Sequence, residues 1–188
     1  MNYKEDINRR IEILKLVLEK TDVMNRISDI IFITIDGGNK VLTAGNGGSA
    51  ANAQHITGDI VGRYKIEREA FPAISLTVDP SVMTAVANDY GYSQVFARQV
   101  EGLGNENDLL IVLSSSATSE NLVEAVKKAN NNGIKTIGIL GNNGGVLSKE
   151  LDESICFEFS ESDLVEETAM AIFHMILKDV EDRLNNRK

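Results

Sequence analysis

Hydrophobic residues along this chain recur first at helical spacing and then at strand spacing. Ile7, Ile11, Leu14 and Leu18 form one helical series, and Val23, Ile27, Ile30 and Ile31 form a second that restarts after Thr21-Asp22, a pair suited to an N-cap. Gly37-Gly38 end this helical region. The pattern then alternates, with apolar strand candidates at 40–44, 73–78, 108–113, 135–140 and 154–159 separated by helical or loop segments. About five short strands joined by helical crossovers predict an α/β fold, a mostly parallel sheet covered by helices on both faces. The last helix starts near Asp163 and places Val165, Ala169, Ile172, Ile176 and Val180 on its apolar side.

Ligands in such sheets bind beyond the carboxyl ends of the strands, so each strand end is a candidate site. Strand one runs into Gly45-Asn46-Gly47-Gly48-Ser49 and an alanine-rich helix, a junction whose free amides favour an anion. Along that helix His55, Asp59 and Arg63 recur every four residues and share a face. Read as Gly-x-Gly-x-x-Ala the turn passes loosely for a dinucleotide fingerprint, but the second strand ends near Asp79, too far along for the acidic partner that fingerprint wants. It is not a P-loop either, since no Gly-Lys-Ser or Gly-Lys-Thr follows. Strand two leads to Asp79-Pro80-Ser81 and a helical stretch closing on Asn88-Asp89. Strand three enters Ser114-Ser115-Ser116-Ala117-Thr118-Ser119, where five hydroxyls gather at a helix mouth, a seat for phosphate or an ordinary cap. On the last helix, Asp163 and Glu166 read as a capping box or as part of a site, and His174 as a core or a functional imidazole.

Composition narrows the partners. Nineteen basic against 28 acidic side chains give a net charge of -9, which repels nucleic acid and anionic membranes. No apolar run approaches the ~18 residues of a membrane span, and no signal-peptide core opens the chain. Cys156 is the one cysteine and sits in a strand-like alternation, so no internal disulfide forms and a reducing cytoplasm is expected. The 188 residues fit a single domain, with helices over 1–36 and the sheet-bearing layers over 37–188.

Taken in order, these motifs resemble the sugar isomerase (SIS) domain, and within it the sedoheptulose-7-phosphate or phosphoheptose isomerases. The residues that carry the resemblance are Gly45-Asn46-Gly47-Gly48-Ser49 with Ala53-Gln54-His55, Gly62-Arg63-Tyr64, Pro72-Ala73-Ile74, Ala87-Asn88-Asp89-Tyr90-Gly91, Phe96-Ala97-Arg98-Gln99-Val100, the serine-rich turn and the final helix with His174. The resemblance implies a flavodoxin-like three-layer αβα sandwich and a cytoplasmic homotetramer with sites at subunit interfaces. The implied reaction converts sedoheptulose 7-phosphate to D-glycero-D-manno-heptose 7-phosphate for surface glycans such as lipopolysaccharide. It further implies one zinc ion on His55, Asp59, Glu166 and His174, with Asp59 and His174 as the acid–base pair. Ser114, Ser115, Ser116 and Ser119 would hold the phosphate. Asn46, Gly47, Gly48, Ser49, Arg63, Asn88, Asp89 and Glu166 would line the sugar site.

Several positions depart from the family pattern. Asp59 stands for a glutamate and Glu166 for a glutamine, while Ala117 replaces the usual phosphate-loop glycine and Ala169 a usual histidine. The two acid changes leave open an isomerase of another sugar phosphate. A non-catalytic SIS adaptor, similar to the one that associates with the replication initiator, is the other alternative, and the presence of both histidines argues against it. Glu166 and His174 lie about 12 Å apart along their helix, so one ion meets both only if each reaches inward or another subunit contributes.

Overall fold

The computed structural model describes residues 2–186. Helices α1 (Tyr3–Leu16) and α2 (Thr21–Asp36) are joined by a 3-10 turn at Val17–Lys20. Strands β1 (Val41–Gly45), β2 (Ala73–Ser75), β3 (Leu109–Ser114), β4 (Lys135–Leu140) and β5 (Glu153–Cys156) form one all-parallel sheet in the order β2-β1-β3-β4-β5. Between them run α3 (Gly48–Val61), α4 (Pro80–Tyr90), α5 (Ala97–Leu103) and α6 (Glu120–Asn131), and α7 (Ser162–Asn185) follows β5. That strand order is the flavodoxin-like one, with its switch point between β1 and β3.

Alternation along β3 separates two cores. Leu109, Ile111 and Leu113 face a layer containing Ile27, Ile31, Ile56, Ile60, Ile172 and Phe173, from α2, α3 and α7. Leu110 and Val112 face the opposite layer, with Val100, Leu122, Ala125 and Val126 from α5 and α6. Every residue of β3 is buried, as expected for a central strand covered on both faces.

Local chemistry corrects several predicted boundaries. The second strand is shorter than 73–78 because it is an edge strand that pairs only with β1, and its chain then turns so that Asp79 can cap α4. The Asp79 carboxylate accepts from Ser81 and Val82 amides at 2.9 and 3.0 Å. The fifth strand stops at Cys156 because Phe157 and Phe159 carbonyls turn to the amides of Asn143 and Asn142. Thr21 is not an N-cap: the 3-10 turn feeds straight into α2, and its hydroxyl donates backwards to Leu18 O at 3.2 Å. Asp163 does not cap α7 either, since Glu161 holds the N-cap position and the Glu166 side chain is engaged elsewhere. Among the described residues, no helix is long and apolar enough to cross a membrane.

Candidate active site

The β1–α3 turn is built on backbone that only glycine adopts freely. Gly47 takes φ 57° and ψ -125°, and a Cβ at Gly48 would lie 2.2 Å from the Glu166 carboxylate. That contact shows where Glu166 goes: its carboxylate rests over Gly48 and accepts the Ser49 amide at the positive end of α3. The predicted anion seat is therefore taken by a carboxylate of the chain itself. Burial, followed by the charge of Asp163, raises the Glu166 pKa against the smaller opposing effect of the Ser49 amide.

A raised acid pKa means that the folded chain binds this proton more tightly than the unfolded chain, so stability falls as pH climbs above the ordinary carboxylate range. Glu166→Gln is thus expected to melt at a higher temperature than the parent near pH 7.5, with the difference closing near pH 4. Parallel thermal melts at the two pH values check this.

The titratable centre lies further along α3, where it packs on α7. The Asp59 Oδ2 atom is 3.5 Å from His55 Nε2 and 3.6 Å from His174 Nε2, and it is buried with no hydrogen-bond partner. The two imidazoles meet edge to face, 5.3 Å between centroids. His55 remains about half exposed and His174 about one-third, so solvent reaches the group while Asp59 forms its floor. The donor atoms of the three residues all lie within 4.8 Å of one another. Two nitrogens and an orphaned carboxylate oxygen form a donor set suited to a borderline divalent cation, so these residues fit the implied metal. Glu166 is not brought into this group: two helical turns separate it from His174, and its carboxylate is held at Gly48.

Other predicted residues surround this centre unevenly. Asn46 exchanges amide hydrogen bonds with Asn121 at 3.0 and 2.9 Å, and Tyr92 Oη donates to Asn46 Oδ1 at 3.1 Å. Asn88 donates to Asp89 at 2.8 Å, both exposed at the end of α4. The Ser114 hydroxyl accepts from the Ala117 amide at 3.0 Å, and Ser116 Oγ is 3.4 Å from both Ser114 Oγ and Ser119 Oγ. Ser119 is the N-cap residue of α6, yet its side chain makes no capping bond, and Ser115 is half-buried beside it. Ala117 holds φ 55°, a left-handed conformation that costs a residue with a Cβ about 1 kcal/mol.

Arg63 departs from the predicted helix face. The helix ends at Val61 and Gly62 caps it, so Arg63 lies on irregular chain and pairs with Glu67 at 3.4 Å. Its side chain is over half exposed.

The description SIS domain belongs to a family model that matches residues 2–141. A phosphoheptose isomerase of Bradyrhizobium sp. (strain ORS 278) is 46% identical over 159 residues, covering 85% of this chain and 80% of that protein. A second phosphoheptose isomerase, from Aliarcobacter butzleri, is 39% identical over 183 residues, 97% of each chain. This chain belongs to the phosphoheptose isomerase family. Solved structures agree: a phosphoheptose isomerase from Francisella tularensis superposes with TM-score 0.87 at 32% identity, over 97% of this chain and all of that one. Phosphoheptose isomerase GmhA from Neisseria gonorrhoeae gives 0.88 at 28% identity, over 96% and 97% of the two chains.

Two residues of this phosphoheptose isomerase fold touch predicted site residues but have no role predicted from sequence, although Tyr64 stands in one of the motifs. Tyr64 stacks on His174 with ring centroids 5.2 Å apart and planes 7° from parallel. Asn121, 3% exposed, reaches from the first turn of α6 to fix Asn46. The strand pairing Gly45 with Leu113 brings those two turns together, and no spacing within either segment signals it.

Proposed function

We propose that this chain interconverts sedoheptulose 7-phosphate and D-glycero-D-manno-heptose 7-phosphate, as a cytoplasmic homotetramer with sites at its subunit interfaces, in the supply of heptose for surface glycans. The observation that carries this reading is the convergence of two imidazoles on the unpaired Asp59 Oδ2 in a chain whose relatives bear the phosphoheptose isomerase name. Ser115, Ser116 and Ser119 would donate to the phosphate at the positive end of α6. Ser114 joins them, because accepting from the Ala117 amide leaves its own hydroxyl hydrogen free. Asn46, Gly47, Gly48, Ser49, Asn88, Asp89 and Arg63 would line the sugar, with Glu166 at its edge. Phosphate contacts remote from C1 contribute orientation.

The chemistry moves two protons. His174 takes the C1 proton of the ketose as the C1–H electron pair becomes the C1=C2 bond, then returns a proton to C2. Asp59 carries the hydroxyl proton from O1 to O2, which balances the conversion. His55, Asp59 and His174 would hold a zinc ion, which when bound polarises the sugar carbonyl. A lone pair engaged by an ion is closed to a proton, so in turnover His55 and one Asp59 oxygen would keep the ion while His174 Nε2, off the ion, takes the C1 proton and the other Asp59 oxygen carries the hydroxyl proton.

The deciding assay follows aldose formation from sedoheptulose 7-phosphate by the purified assembled protein. Turnover is expected, falling at least about tenfold after chelation and returning with zinc. No turnover with or without zinc overturns the proposal.

A further inference from the structure

We infer that Tyr64 is a positioning residue for the His174 imidazole, and that the buried Glu181–Arg68 pair sets Tyr64 in place, so that the irregular chain between α3 and β2 governs how well the site grips a divalent cation. Residues 63–72 form no helix or strand, yet their course is fixed from α7. The Glu181 carboxylate, 3% exposed, accepts the amides of Tyr64 at 3.0 Å, Lys65 at 2.6 Å and Ile66 at 3.0 Å. Its Oε1 also takes Arg68 Nε at 2.7 Å, and that guanidinium is 6% exposed. Arg68 in turn donates to the backbone carbonyl of Asp59 at 2.9 Å and lies over the Phe71 ring at 4.0 Å.

One buried knot thus reaches two of the three donors. It holds the Asp59 end of α3 through Arg68, and it aims Tyr64 at the ring of His174, seven residues before Glu181 on α7. A near-parallel neighbouring ring opposes rotation of the imidazole about its Cβ–Cγ bond, which would swing it out of that shared orientation. His174 Nε2 is thereby kept toward Asp59 Oδ2 before any ligand arrives, and a preset ligand loses less rotational freedom on binding.

The catalytic consequence rests on the isomerase reading, whereas the stacking and the cation affinity do not. Tyr64→Leu removes the ring and Tyr64→Phe keeps it. In the metal-free protein, the proton NMR signals of the His174 ring are expected to move downfield in the Leu variant, as the ring current is lost, and to stay in place in the Phe variant. Titration with Co²⁺, read by its visible absorption, is expected to give about 10–100-fold weaker binding for Leu and near-parental binding for Phe. With sedoheptulose 7-phosphate, kcat falls for Leu while KM changes little, and Phe restores kcat. A Leu variant that keeps the parental Co²⁺ affinity, or a Phe variant that fails to restore it, overturns the inference. Co²⁺ binding with the expected Tyr64 dependence in a parent that does not turn over sugar leaves the positioning role intact and defeats the isomerase reading instead.

Discussion

Asp59→Asn is expected to lower kcat for sedoheptulose 7-phosphate by about 10²–10⁴-fold, the range associated with losing a general acid or base. Asparagine keeps the shape of the side chain and loses both the charge and the ability to accept and return a proton. Because Asp59 Oδ2 accepts no hydrogen bond in the folded chain, the substitution breaks none. The metal-free variant should therefore melt no lower than the parent, which separates a chemical defect from a folding defect. Zn²⁺ affinity should fall in parallel, since the one anionic member of the donor set is gone. Steady-state aldose formation, calorimetric Zn²⁺ titration and thermal melts on the same preparation read all three, and parental kcat in the variant would remove Asp59 from the chemistry.

The second large effect is on stability. Glu181→Ala leaves three backbone amides without their acceptor and a buried guanidinium without its counter-charge, so a loss of about 3–5 kcal/mol is expected. That is a large part of the roughly 5–15 kcal/mol available to a folded domain. Urea unfolding followed by circular dichroism measures it, and a loss below about 1 kcal/mol would contradict the account.

The pH dependence of this loss has a fixed sign. Burial pushes the Glu181 pKa upward, but the amides of Tyr64 and Lys65, then Arg68 and Ile66, together outweigh it and hold the carboxyl below its ordinary value. An acid lowered in the folded state contributes stability above the ordinary carboxylate range and loses it as pH falls through the folded pKa. The unfolding free energies of parent and variant should accordingly approach one another in acid.

Much of this architecture was legible from local pattern because each strand needs a short apolar run and each crossover a helical stripe. Strand β4 matches its predicted span of 135–140, and β1 and β3 are displaced by one residue. The errors fall where a distant group competes for a local one. Strand β2 is cut short by the demands of the α4 cap, and the Asp163–Glu166 box fails because Gly48 opens a seat for that carboxylate on another helix. His55 and Asp59 could be paired from their spacing on one helix, whereas Arg63 could not be kept with them once Gly62 ended the turn.

The sequence by itself determined the alternation of strands and helices, the glycine turn after β1, the hydroxyl cluster after β3 and the scarcity of histidine, since all of these are properties of neighbouring residues. Only the tertiary structure decided that His174 meets Asp59 across 115 residues, that Glu166 turns away from them, and that Tyr64 is held beneath the imidazole by Glu181. The physical reason is packing: α3 and α7 are apposed on one face of the sheet, and contact between side chains of separate elements depends on how those elements pack, which no local periodicity encodes.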